Sequence, residues 1–178
     1  MRWTVHGHRD VYSSEWVRVS LDDVEIPGGR RFDHHVVHFP RASVTAVVAD
    51  GEGQVLLLWR HRFITGTWGW EVPAGWADPG EDLDAAIARE IEEETGYRPA
   101  AVRPMTAYNA LSGISDMRFT AFLASGAERT GPPADRGESS RVEWVPLAEI
   151  PKLAAEGQIQ DGPSLTALAY YMAIERAP

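Results

Sequence analysis

The chain of 178 residues contains no cysteine. That excludes disulfide frameworks, thiol nucleophiles and cysteine-ligated zinc, and it accords with a reducing compartment. It also lacks a surplus of positive charge. Its 17 lysines and arginines stand against 26 acids, giving a formal net charge of −9 and a pI near 5.1. Such a chain does not hold a nucleic-acid backbone through bulk charge, so no nucleic-acid partner is expected. Small nucleotides are not excluded, because metal ions and a few arginines neutralise them. No apolar run is long enough to span a bilayer, so no membrane partner is expected. Residues 1–10 have no apolar centre for a secretory leader. The expectation is a cytoplasmic protein. No internal repeat is present. Hydrophobic residues make up an ordinary 44%, and the length suits one globular domain with a substantial core.

What is present is unevenly spread. Residues 75–97 (GWADPGEDLDAAIAREIEEETGY) hold eight carboxylates and one arginine, a net −7 of the chain's −9. So much negative charge in one short element has to be solvated, paired or neutralised by cations. Asp82 is placed as a helix N-cap after the Pro79–Gly80 break, acids in the first turn suit the helix dipole, and Gly96 is a natural residue to follow the last turn. Leu83, Ile87 and Ile91 form the apolar stripe.

The acids fall at informative angles to that stripe. At about 100° per residue, Glu94 lies about 20° from its centre, Glu90 about 60°, Glu93 about 120° and Glu92 about 140°. A purely solvated charged face would lie opposite the stripe. Carboxylates aimed near a packed face need compensation, and a divalent cation with oxygen ligands supplies it. Glu90 and Glu94, one turn apart, can share a metal cluster. Arg89 is placed to orient Glu93 by a charge-assisted hydrogen bond. The plain alternative is an acidic amphipathic helix with a solvated face.

The fixed positions read G-x5-E-x7-R-E-U-x-E-E-x-G-U, with U bulky and apolar or aromatic, and run from Gly75 to Tyr97. This pattern resembles the Nudix box. The resemblance implies a mixed-sheet α/β/α sandwich and Mg2+- or Mn2+-dependent hydrolysis of a nucleoside diphosphate linked to another group. It implies Glu90, Glu93 and Glu94 as metal ligands, with the Ala74 carbonyl as a further one. The flanks narrow the likeness. Residues 71–75 (EVPAG), 59–63 (WRHRF) and 156–164 (EGQIQDGPS) are similar to segments of the ADP-ribose pyrophosphatase and nucleoside-diphosphate-sugar hydrolase group. That implies Arg60 and Arg62 as phosphate-binding residues, a catalytic base at Glu138 and a homodimer built through an N-terminal hairpin. Asp135, Glu143 and Glu93 are the alternative bases. The group's P-G-x-S-[DN]-E segment is matched at 112–117 with Ser112 for the proline and Met117 for the glutamate, while Gly113, Ser115 and Asp116 are kept. Ser112, Gly113 and Asp116 are therefore expected at the substrate. The departure points away from ADP-ribose itself and toward a broader nucleoside-diphosphate-sugar class.

Along the chain, 15–26 and 31–39 read as a hairpin, so that 1–40 is an extension and 41–178 the hydrolase domain. Strands are expected at 43–49, 54–60, 69–73, 101–108, 117–124 and 141–145. Residues 125–140 read as a long loop. A broken helix is expected at 147–156 and a last helix at 164–176, with Leu165, Leu168, Ala169 and Met172 inward. His34 and His35, as strand neighbours, face opposite sides and make a poor metal chelate; with His38 they read as surface or interface residues. His61 is a candidate substrate contact. Trp16, Trp68 and Trp70 are candidates to stack on a base, and the sequence does not rank them. Two other readings compete: a house-cleaning hydrolase of oxidised nucleoside triphosphates, and a non-catalytic nucleotide sensor.

Overall fold

Every residue of the strand Ser43–Ala49 is buried, and the other layers are built on its two faces. A strand covered on both sides reads as a near-continuous apolar run, as SVTAVVA does. The structure, a computed structural model, describes residues 1–134, 137 and 139–176. The strands are β1 (Thr4–Ser13), β2 (Arg18–Glu25), β3 (Arg31–His38), β4 (Ser43–Ala49), β5 (Gln54–Arg62), β6 (Thr67–Glu71), β7 (Ala74–Trp76), β8 (Tyr97–Arg98), β9 (Ala101–Asn109), β10 (Arg118–Ser125), β11 (Glu128–Arg129) and β12 (Ser139–Pro146). The helices are α1 (Leu83–Thr95), α2 (Ile150–Ala155) and α3 (Gly162–Tyr170), with a π turn (Tyr171–Glu175) closing the last.

The main sheet has the order β12-β5-β4-β10-β9, with β6 on β5 and β7 on β4. β10 runs parallel to β4 and antiparallel to β9, so the sheet is mixed. On one face Val44, Ala46 and Val48 pack with Ala86, Ile87 and Ile91 of α1. On the other, Val47 and Leu57 pack with Leu147, Ile150, Ala167 and Leu168 from the C-terminal helices. This is the α/β/α sandwich expected from the sequence. No helix among the described residues is long and apolar enough to cross a membrane.

Helix α1 has the expected bounds. The Asp82 side chain accepts from the Asp84 N–H at 3.3 Å, and Gly96 ends the helix in the left-handed region at φ 74°, its N–H donating to the Glu92 carbonyl at 2.8 Å. Gly96 is required for a second reason. A Cβ there would lie 2.2 Å from the Gly131 carbonyl oxygen. The segment 130–134 crosses this helix end, with Thr130 N–H donating to the Gly96 carbonyl at 2.8 Å and Ala134 N–H to the Glu93 carbonyl at 2.8 Å. The stretch expected to be a structureless loop thus carries β11, paired with β8, and a backbone cap for α1.

Two other expectations need correction. The last helix keeps its expected phase only in part: Leu168 is buried and Met172 packs against the core as expected, but Ser164 and Ala167 are buried while Leu165 and Ala169 are exposed. The cause is Ser164, whose hydroxyl donates to Asp161 at 2.7 Å and accepts from the Val72 N–H at 3.1 Å, so a polar side chain belongs to the inner face. At the N-terminus the expected hairpin is β2–β3, but β1 adds a third strand along β2. All ten residues of β1 are exposed, so it has no inside–outside alternation to read.

Candidate active site

The floor of the site is the contact between α1 and β7. Glu94 is 3% exposed, and its two carboxylate oxygens are held from two directions. Arg60 Nη2, on β5, donates to Oε1 at 2.5 Å, and the Ala74 N–H donates to Oε2 at 3.0 Å. Arg60 is itself 4% exposed. Burial pushes the Glu94 pKa up to about 7, and Arg60 offsets only part of that shift. Desolvation outweighs the ion pair, as is common for a pair taken fully out of water.

One turn earlier, the Glu90 carboxylate fills the space beside Gly75. A Cβ on residue 75 would fall 2.1 Å from the Glu90 Cδ. Glycine is needed here for close approach of backbone and carboxylate, not for a positive φ. Burial raises the Glu90 pKa, while Arg89 works against the shift. Arg89 is the hub of this turn. It donates to Glu81 at 3.1 and 3.0 Å, to Glu90 at 2.9 Å, to Glu93 at 3.0 Å and to the Trp76 carbonyl at 3.0 Å. The expected Arg89–Glu93 contact is present, but Arg89 also organises Glu81 and Glu90. With Glu81 bound first among these partners, Arg89 is held firmly protonated.

The donor set suits a hard divalent cation. Glu81, Glu90 and Glu93 face one guanidinium, so carboxylates outnumber cations in a partly desolvated place, and every donor atom is oxygen. Among the described residues, no three acidic or histidine side chains already converge as a cage. They are gathered on Arg89 and Arg60 instead. Ala74 sits beside Glu94 at the start of β7, where the backbone adjoins these carboxylates.

Next to this floor lies a cleft of about 560 Å³, bordered by Arg60, Arg62, Glu71, Trp68 and Asp161 among others. Arg62, about half exposed, makes a two-pronged ion pair with buried Glu71, donating from Nε at 2.9 Å and from Nη2 at 2.5 Å. Glu71 and Glu81 are site residues to which the sequence reading gave no role, although both are fixed positions of the motifs quoted above. Glu138 and Asp135 lie outside the described residues. Of the other two alternative bases, Glu143 is paired with Arg141 at 3.5 Å on β12 and Glu93 with Arg89 at 3.0 Å.

Ser112, Gly113 and Asp116 are placed elsewhere; none borders the cleft among the described residues. Their loop is stitched to β3. The Val37 N–H donates to the Ile114 carbonyl at 2.8 Å, and His34 Nε2 meets the Gly113 carbonyl at 2.9 Å. Asp116 accepts from the Phe39 N–H at 3.0 Å and meets His38 Nδ1 at 2.6 Å. Within one chain these residues fasten the N-terminal sheet to the connection between β9 and β10. Ser112 is exposed beside them.

The fold is a mixed sheet between helical layers, with a carboxylate helix packed on a glycine-bearing strand, and the family model described as NUDIX domain matches residues 39–168. The chain belongs to the Nudix family. It is 41% identical to the CMP-5'-(N-acetyl-N-hydroxy-3-aminopropyl)phosphonate hydrolase of Streptomyces rubellomurinus, over 95% of this chain and 82% of that protein. It is 31% identical to an ADP-ribose pyrophosphatase of Mycobacterium tuberculosis, over 78% of this chain and 68% of that one. A crystal structure of an ADP compounds hydrolase superposes with a TM-score of 0.85 at 19% identity, covering 97% of this chain and 93% of that chain, which speaks for the fold.

Two expectations follow from this geometry. Gly75→Ala displaces the end of a flexible side chain, so the melting temperature should change little while turnover falls by about a hundredfold or more. A variant that unfolds, or one that turns over normally, would refute the close-approach argument. The second concerns pH. Folded Glu94 keeps a proton that the unfolded chain releases in the ordinary carboxylate range, so its contribution is present at acidic pH and lost as pH rises through about 7. Glu90 adds to the same sign. Urea midpoints in chelator should therefore decline from about pH 5 to about pH 8, and Glu94→Gln should flatten the slope. A midpoint that rises over that window contradicts the assignment.

Proposed function

We propose that this chain hydrolyses the phosphoanhydride of a nucleoside diphosphate linked to a sugar or comparable group, releasing a nucleoside monophosphate. The observation that carries the reading is the convergence of Glu90 and buried Glu94 at the α1–β7 contact, with Gly75 giving Glu90 its space. Glu90, Glu93, Glu94 and the Ala74 carbonyl are the proposed holders of Mg2+, with Mn2+ as an alternative. Such an ion, when bound, neutralises phosphate charge and lowers the pKa of an attacking water. Arg89 keeps Glu81, Glu90 and Glu93 in place. Arg62, fixed by Glu71 yet open to the cleft, presents guanidinium donors suited to phosphate oxygens. Arg60, enclosed against Glu94, acts more on that carboxylate than on substrate. Glu138 is the proposed base.

The relatives support the class and divide on the second group. The compounds named for these two relatives, a CMP-linked phosphonate and ADP-ribose, share a nucleoside 5′-phosphoryl group joined through a second phosphorus. The higher identity to the first, with Ser112 and Met117 departing from the ADP-ribose pattern, favours testing phosphonate-bearing nucleotides beside sugars. A panel of ADP-ribose, other nucleotide sugars, CMP-alkylphosphonates, dinucleotides and nucleoside triphosphates, each with Mg2+ and with Mn2+, should show turnover on the diphosphate-linked compounds. Preference for oxidised triphosphates would support the house-cleaning reading, and no turnover at all would support the sensor. On the best substrate, Glu138→Gln should lower kcat by about two orders of magnitude or more with an unchanged melting temperature; near-normal kcat rejects Glu138 as base.

The N-terminal sheet supports a homodimer. Trp3, Val5, Val11, Tyr12 and Trp16 are each about half exposed or more on it, more apolar area than an isolated small sheet usually leaves in water. A cytoplasmic homodimer is thus part of the proposal. Sedimentation should give twice the chain mass, and a variant lacking 1–40 should lose that association; a monomeric full chain would reject it.

A further inference from the structure

The sequence offers Trp16, Trp68 and Trp70 as partners for a base, and the structure separates them. Trp70 is 6% exposed and belongs to the core. Trp16 is exposed, but the Arg41 guanidinium lies over its ring at 4.7 Å. Trp68 is 48% exposed and borders the cleft that also holds Arg62 and Glu71.

Trp68 is also backed rather than loose. Its ring stacks on Trp59, centroids 6.3 Å apart and planes within 16° of parallel. Trp59 meets Trp70 edge-on at 5.1 Å, and the Arg141 guanidinium sits over both, at 5.1 and 4.9 Å. The indole at the cleft is thus the outermost plate of a stack rooted in the core. His61 flanks it at 5.2 Å, tilted by 39°. A plate fixed in advance loses little freedom when a flat ligand lies on it. The neighbouring lining includes Phe63, Ile64 and Thr65, with Phe63 and Ile64 each 84% exposed.

We propose that Trp68 is the platform on which the nucleobase of the substrate stacks, flanked by His61. This rests on the nucleotide-hydrolase reading above and adds where the base lies: on the β5–β6 hairpin, on the same cleft as the phosphate-facing Arg62. Stacking alone is tolerant of base identity. The platform therefore selects a nucleotide over a bare sugar phosphate, without selecting strongly among bases.

The test is calorimetric binding of CMP, AMP and ribose 5-phosphate to the full chain and to Trp68→Ala, Trp68→Phe and Trp16→Ala, with KM and kcat on the best substrate alongside. Trp68→Ala should weaken CMP and AMP about tenfold, or about 1.4 kcal/mol, and raise KM by a similar factor with kcat kept. Trp68→Phe should retain most of the affinity, and Trp16→Ala and ribose 5-phosphate should show no change. The proposal is overturned if Trp68→Ala binds both nucleotides as the parent does. It is equally overturned if ribose 5-phosphate weakens in parallel, since that places a sugar on the ring, or if the parent chain binds neither nucleotide. Because binding is read without turnover, a chain that hydrolyses nothing but loses CMP on Trp68→Ala would sink the hydrolase reading and leave the platform standing.

Discussion

The site depends on one small volume, the space beside residue 75. The Glu90 carboxylate occupies the position that any side chain there would need. Beside it, Glu94 reaches the Ala74 N–H and Arg60. Arg89 then spans from the helix back to the Trp76 carbonyl and ties Glu81 into the same cluster. Glycine, helix position and carboxylate cluster are thus a single steric arrangement rather than separate conserved-looking letters.

That arrangement has an electrostatic consequence. Carboxylates drawn toward a dry floor are disfavoured as anions, and Glu94 shows the effect despite an arginine in contact. The apolar packing of α1 on the sheet is carried by Ile87 and Ile91, not by these acids. The acids oppose stability locally, and the two-sided core around β4 offsets them. Sites that oppose folding in this way are where chemistry is commonly found.

Much of this was legible in the sequence because it is local. The angular position of three glutamates on α1 anticipates their exposure: Glu94 lies nearest the stripe and is 3% exposed, Glu90 is 14% exposed at its side chain, and Glu93 on the flank is 41% exposed, while Glu92, farthest round, is held to 33% exposed by its pairing with Arg98. The caps at Asp82 and Gly96 and the buried run of β4 were equally readable. What was missed is non-local or polar. Arg60 and Arg62 fall on the same face of one strand by period, yet one is enclosed by Glu94, thirty-four residues away, and the other stands open on Glu71. The partners of Asp116, His38 and the Phe39 N–H, come from a strand almost eighty residues away. The phase of α3 was partly misread because a buried serine, satisfied by Asp161 and the Val72 N–H, does not look like a core residue. β1 was overlooked because neither of its faces meets the core within one chain.

The crossing of 130–134 over the end of α1 carries a mechanical meaning. Gly131 rests against Gly96, and Ala134 hangs from the carbonyl of Glu93. The chain that departs toward Glu138 therefore leaves from an anchorage on the very helix that bears the acidic cluster. Residues 130–134 and the acidic cluster thus share one frame of reference: a tilt or slide of that helix carries this stretch of backbone along with it.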